Sequence, residues 1–115
     1  MADLADLTAR MRNFTEARDW GRFHDLKSLT LALAGEVGEV AELVQWLSAD
    51  QASSVRPGSE LQVRLGDELA DVLLYLVRLA DVAGVDLHFE ALKKLDVNDS
   101  RFPQEVVRGT APQRH

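Results

Sequence analysis

A chain of 115 residues with 46% hydrophobic residues has the size of one domain, small enough to leave room for further burial against a partner. The absence of cysteine excludes disulfides, thiolate zinc sites and cysteine nucleophiles, so any metal must be held by oxygen or imidazole. A formal charge of −6 argues against nucleic acid as a partner, but it admits a small phosphorylated ligand if cations neutralise both sides.

The start, Met1 to Asp6, is acidic and lacks the basic residues and apolar run of a signal peptide. No stretch approaches a membrane-spanning length, so the expectation is a cytoplasmic protein with no membrane partner. Apolar residues follow a helical period along most of the chain, without bounded β-branched alternation, which predicts an all-α fold with four helices.

The first helix is predicted from Asp3 to Asp19, with Leu4, Leu7, Met11 and Phe14 on one side and Gly21 as its stop. The second starts near Lys27 or Ser28, with Ser28 as the expected cap, and ends around Ala49. Its expected buried stripe is Leu29, Leu33, Val37, Val40, Val44 and Leu47. Residues 50–59, with Ser53, Ser54, Pro57 and Gly58, read as a flexible loop. Ser59 then caps a third helix from Glu60 to about Ala83, with Leu65, Leu69, Val72, Leu73, Leu76 and Ala80 as its stripe.

Gly84 is the expected stop of that helix and Asp86 the cap of a fourth through Phe89, Leu92, Leu95 and Val97. The single helical domain is expected to occupy residues 1–102. From Pro103 to His115 the apolar period is lost, and an extended or disordered tail is expected.

Two carboxylate pairs stand out: Glu36 with Glu39 on the second helix, and Glu68 with Asp71 on the third. Each pair is spaced i, i+3, which puts both side chains on one helical face. Glu36 interrupts the apolar stripe and Glu39 lies on its flank, while Glu68 and Asp71 share a flank with Tyr75. Antiparallel packing of the two helices would bring the pairs together. Several carboxylates buried together repel one another and lose hydration, so they require a cation or protons.

All-oxygen ligation suits Mg²⁺ or Mn²⁺, and the Glu-x-x-His spacing of a di-iron bundle is missing from both pairs. Periodicity alone leaves two readings open, a metal site and a set of structural ion pairs. Glu42, Glu60, Asp67 and Asp81 read as solvated acids.

The run Leu31-Ala32-Leu33-Ala34-Gly35-Glu36-Val37-Gly38-Glu39-Val40-Ala41-Glu42-Leu43-Val44-Gln45-Trp46, followed by Asp67-Glu68-Leu69-Ala70-Asp71-Val72-Leu73-Leu74-Tyr75-Leu76, closely resembles the MazG-like all-α nucleoside triphosphate pyrophosphohydrolases. The segments Trp20-Gly21-Arg22-Phe23-His24, Lys94-Leu95-Asp96-Val97-Asn98 and Arg101-Phe102-Pro103 resemble the dCTP pyrophosphatase branch. The resemblance covers Arg18 to Pro103. It implies a four-helix bundle of the MazG-like type, assembling as a dimer or a dimer of dimers, with Glu36, Glu39, Glu68 and Asp71 as Mg²⁺ ligands.

The implied reaction is Mg²⁺-dependent hydrolysis of a nucleoside triphosphate between the α and β phosphates, giving monophosphate and pyrophosphate. The implied substrate is dCTP or a related or modified pyrimidine deoxynucleotide, and the implied role is nucleotide-pool house-cleaning. Glu36 or Glu39 is the candidate to take the proton from water. Lys27, Lys94 and Arg101 are candidates for the triphosphate; Trp20, His24, Trp46 and Tyr75 for the base; Asn98 for substrate contact or helix capping.

Two departures stand out. Gly35 sits where many relatives have a second Glu, and Leu26 and Ser28 replace the usual Pro and Asn after His24. The competing reading is a non-catalytic helical module whose apolar stripes dimerise and whose acids are solvated.

Overall fold

The structure is a computed structural model and describes residues 3–111. Every regular element among the described residues is helical: α1 Leu4–Ala17, a 3-10 turn Gly21–Phe23, α2 Leu26–Val44, α3 Ala49–Ser53, α4 Glu60–Ala83, α5 Leu87–Arg101 and α6 Gln104–Val107. The described residues divide into two compact units, one up to Val85 and one from Asp86 onward.

In the first unit, α1 starts because the Asp3 carboxylate accepts from Asp6 N at 2.9 Å, satisfying an amide that has no partner in the first turn. Its end lies before the predicted glycine stop. Asp19 takes the left-handed conformation (φ 52°), and the amides of Arg18 and Trp20 both turn back to Thr15 O. Gly21 instead opens the 3-10 turn.

The predicted cap of α2 is also corrected. Asp25 occupies the cap position, and Ser28 is its donor, giving both N and Oγ to the carboxylate at 2.8 Å. The two carboxylate oxygens each take one of these bonds, Oδ1 from the amide and Oδ2 from the hydroxyl. The helix then ends at Val44, short of Ala49. Ser48 and Gln51 form a reciprocal capping box at 3.1 and 2.9 Å, nucleating α3 inside the segment predicted to be loop.

α4 matches its predicted bounds. Ser59 caps it by accepting from Gln62 N, and Gly84 ends it with φ 72° while its amide reaches Ala80 O and Asp81 O. This long helix packs against both α1 and α2. Leu29 of α2, with Val77 and Ala80 of α4, is buried, together with Thr15 of α1.

The predicted stripes were too wide. Val37 and Val44 on α2 and Leu69 and Leu73 on α4 are 51, 37, 49 and 39% exposed. The inward side of α2 instead runs through Leu29, Leu33, Glu36 and Val40, and Leu47 lies beyond the end of the helix. Apolar identity marks two faces of these helices, and only one is covered within the chain.

In the second unit, Asp86 caps α5 by accepting from Phe89 N at 3.0 Å, as predicted. The helix continues to Arg101, past Val97, and Phe102 N closes its last turn on Asn98 O at 2.8 Å. The single turn α6 occupies part of the segment predicted to be extended, with Pro103 at its cap position, where a missing amide costs nothing. Pro112 and His115 lie outside the described residues. No helix among the described residues is long and apolar enough to cross a membrane.

Candidate metal centre and cleft

The two predicted carboxylate pairs meet because α2 and α4 run antiparallel. Glu42, Leu43 and Gln45 at the end of α2 share a cleft with Glu60, Leu61 and Arg64 at the start of α4, while the earlier Glu36 converges with the later Glu68, so ascending numbers on one helix face descending numbers on the other. Carboxylate oxygens of Glu36, Glu39 and Glu68 lie within 4.8 Å of one another. Glu36 and Glu68 are half-buried and Glu39 is exposed. Asp71, half-buried, stands outside that trio, although its charge bears on both Glu36 and Glu68.

Among the described residues, the charges that act on Glu36 and Glu68 are those of the neighbouring acids. Burial, then the charges of Glu39 and Asp71 and a proton shared with Glu39, raise the Glu36 pKa above its ordinary value. For Glu68 the proton shared with Glu39 comes first, reinforced by burial and the charges of Glu39, Asp71 and Glu36, and the pKa is pushed up to about 7. Among the described residues, three buried side-chain oxygens have no hydrogen-bond partner: Oγ1 of Thr15 in the core, and the carboxylate oxygens Oε2 of Glu36 and Oε2 of Glu68. Unpartnered buried oxygens converging with a third carboxylate match the donor set of a hard divalent cation.

Beside the cluster lies a cleft of about 580 Å³ between the C-terminal part of α2 and the N-terminal part of α4. Glu39 and Glu68 line it, with Glu42 and Glu60, and Arg64 brings a positive charge one turn before Glu68. The composition of the α4 face marks Arg64 for notice, since it precedes Glu68 by four residues, but sequence reasoning passed over it.

The other predicted residues are dispersed. Tyr75 is half-buried one turn beyond Asp71. His24 is half-buried and meets α4 through Arg78, whose Nε lies 3.0 Å from Nδ1. The Trp20 ring packs edge-on against Phe14, with centroids 5.8 Å apart. Trp46 follows Gln45 at the edge of the cleft and is 87% exposed. Lys27 is exposed in the first turn of α2, nine residues before Glu36, which places it about half a turn round the helix and ~14 Å along it.

In the second unit Lys94, Asn98 and Arg101 lie at i, i+4 and i+7, on one face of α5. Lys94 and Arg101 are exposed, and the Arg101 guanidinium lies 5.3 Å from the Phe102 ring centroid. Asn98 is half-buried inside the last turn and is not the cap, a position taken by Phe102.

Asp81, read from sequence as a solvated acid, is held by two bonds from Arg12 (Nε 3.0 Å, Nη2 2.6 Å) and by Arg78 at 3.3 Å. Arg12 holds its carboxyl below the usual range. Arg78, 8% exposed, was also missed. The signal is its spacing, because Glu68, Asp71, Tyr75 and Arg78 recur at i, i+3, i+7 and i+10.

Residues 24–97 match the model of the MazG nucleotide pyrophosphohydrolase domain. The chain is 42% identical to dCTP pyrophosphatase 1 of Mus musculus and 40% identical to that of Homo sapiens, each over 94% of this chain and 64% of the relative. It therefore spans a little under two thirds of the length of these relatives. Among solved structures, a pyrophosphatase from Archaeoglobus fulgidus is similar, with a TM-score of 0.77 and 29% identity over 90% of this chain and 94% of the other.

Proposed function

The chain belongs to the MazG nucleotide pyrophosphohydrolase family, and on that premise we propose that it hydrolyses dCTP or a related pyrimidine deoxynucleoside triphosphate to the monophosphate and pyrophosphate. The observation that carries this reading is the convergence of Glu36, Glu39 and Glu68 beside a cleft, with two buried oxygens lacking donors. A helical module without catalysis gives no reason to bury converging carboxylate oxygens in that state. The relatives named dCTP pyrophosphatase 1 support the choice of base and sugar.

Glu36, Glu39 and Glu68, completed by Asp71, are the residues that would hold Mg²⁺. Bound there, the cation supplies charge neutralisation for the phosphates and Lewis-acid assistance to the attacking water. Glu39, exposed on the cleft wall, is the residue placed to accept the proton from water as it attacks the α-phosphate. The Oε2 atoms of Glu36 and Glu68 are held in place by burial, which preorganises the donor set. Arg64, lining the same cleft, is placed to take negative charge from the phosphates and leaving pyrophosphate.

We also assign the uncovered apolar residues Val37 and Val44 of α2 and Leu69 and Leu73 of α4 to self-association, because both helices carry a second apolar face. Lys27, directed away from the carboxylates of its own chain, fits a role toward a second copy.

Pyrophosphate release from a panel of canonical and modified triphosphates, with and without Mg²⁺, tests the reading. Mg²⁺-dependent turnover with preference for a deoxycytidine nucleotide is the expected result. No turnover of any member, with no Mg²⁺ binding by calorimetry, would defeat it.

A further inference from the structure

Arg78 ends the polar seam of α4 and is nearly buried, at 8% exposure. A guanidinium removed that far from water needs acceptors for its five N–H donors. One is Asp81, 3.3 Å from Nη1, but Asp81 already receives two bonds from Arg12. The other is Nδ1 of His24, 3.0 Å from Nε.

That second contact has a definite protonation state. Arginine does not deprotonate in proteins and offers no acceptor, so Nδ1 must supply the lone pair. An imidazolium has none there. A neutral ring with a bare Nδ1 carries its proton on Nε2.

The backbone around His24 fits the same contact. Its amide donates to Gly21 O at 3.0 Å, and a Cβ added at Gly21 would stand 3.8 Å from Nη2, so the guanidinium packs against this turn. Among the described residues Nε2 has no hydrogen-bond partner, and the ring is half-buried.

We propose that Arg78 is a positioning residue for His24, fixing the imidazole as the neutral Nε2–H tautomer so that it presents a single N–H donor to an acceptor oxygen of the nucleotide. The proposal rests on the pyrophosphohydrolase reading for the identity of the ligand, while the tautomer stands on geometry. Burial of the ring, and then the Arg78 charge, hold His24 below the usual imidazole range, which agrees with a neutral ring. Seven residues beyond Asp71, Arg78 lies about 10 Å along the same face of α4, so His24 joins the seam whose other end enters the carboxylate cluster. If Arg78 served only to neutralise Asp81, the bond to Nδ1 would be incidental.

Long-range ¹H–¹⁵N correlation spectra of the full chain, with His24 assigned by its loss in His24→Gln, test this directly. The expected spectrum has a protonated Nε2 and an unprotonated Nδ1 at neutral pH. A proton on Nδ1, or the mixture of a free imidazole, overturns the proposal. Arg78→Met should give that mixture, which alone costs about twofold, and also leave the ring free to turn, so that losing the oriented hydrogen bond raises KM for the preferred triphosphate about tenfold with kcat within about twofold; an unchanged tautomer and KM overturn it.

If Arg78→Met does not fold, the wild-type spectrum and a ligand titration decide. In the presence of Mg²⁺, α,β-imido-dCTP should shift the Nε2 resonance. Deoxycytidine and tripolyphosphate, titrated separately, identify the half that carries the acceptor. Binding of the analogue without any shift overturns the proposal. A fixed tautomer in a chain that neither binds nor cleaves any triphosphate would instead defeat the pyrophosphohydrolase reading and with it the ligand part of the proposal, leaving the Arg78–His24 geometry in place.

Discussion

Glu68 carries a pKa of about 7, above its ordinary 4.5, because its proton is shared with Glu39 in a half-buried place crowded with negative charge. A raised carboxylate pKa means that the folded chain holds a proton which the unfolded chain releases. Its contribution to stability is complete below pH 4.5 and is lost as pH rises through about 7. In EDTA, the thermal midpoint should therefore fall between those values, and Glu68→Gln should flatten the fall. Mg²⁺ should raise the midpoint at pH 8 far more than at pH 5, since it competes with the proton for the same oxygens. A midpoint in EDTA that rises through this interval would contradict the geometry of the cluster.

The pairs themselves were legible in the sequence, because i, i+3 spacing fixes a helical face whatever the tertiary contacts. Glu36 in an apolar stripe gave the direction of the site. What the sequence hid was the role of the cations. Arg78 and Asp81 look like surface residues until α1 brings Arg12 to within 2.6 Å of Asp81, and no local pattern encodes a pairing 69 residues apart. Asp81→Ala should cost about 3 kcal/mol in urea unfolding, since it strands a buried guanidinium as well as removing a pair. A loss within 0.5 kcal/mol, about the size of an ordinary surface substitution, would show that Arg78 finds water instead.

At the scale of elements, both ends of α4 are legible in the sequence because Ser59 and Gly84 are punctuation with a backbone cause. Gly84 sits at φ 72°, where a Cβ is strained, so Gly84→Ala should lower stability by about 1–2 kcal/mol without changing the activity assayed well below the melting temperature. Urea denaturation checks the first part, and an unchanged midpoint would mean that the chain leaves the left-handed conformation at no cost. The structure departs from the expected bounds where two caps compete. Asp25 lies three residues before Ser28 and outbids it as an acceptor, and the capping box of Ser48 and Gln51 turns part of the predicted loop into α3. The overlong stripes have a different cause: hydrophobicity does not distinguish a face covered by the same chain from one awaiting another.

For the whole molecule, that distinction becomes a measurement. Light scattering during size-exclusion chromatography should return a multiple of 12.8 kDa, and Leu69→Glu with Leu73→Glu should shift it toward the single-chain mass with the helices retained. A wild-type mass of one chain would leave Val37, Val44, Leu69 and Leu73 without the assigned role. The polar face of α5, with Lys94, Asn98 and Arg101 aligned, is legible from spacing alone.

The central claim is that the α2–α4 carboxylates make a hydrolytic centre. Its most direct test is Mg²⁺-dependent pyrophosphate release from dCTP by the wild-type chain, Glu39→Gln and Asp71→Asn, with helicity followed by circular dichroism. Wild-type turnover, reduced by roughly two orders of magnitude or more in both variants at unchanged helicity, is the predicted result, because losing a ligand should cost more than losing an outer partner. Full turnover in either variant would contradict the assignment of these residues.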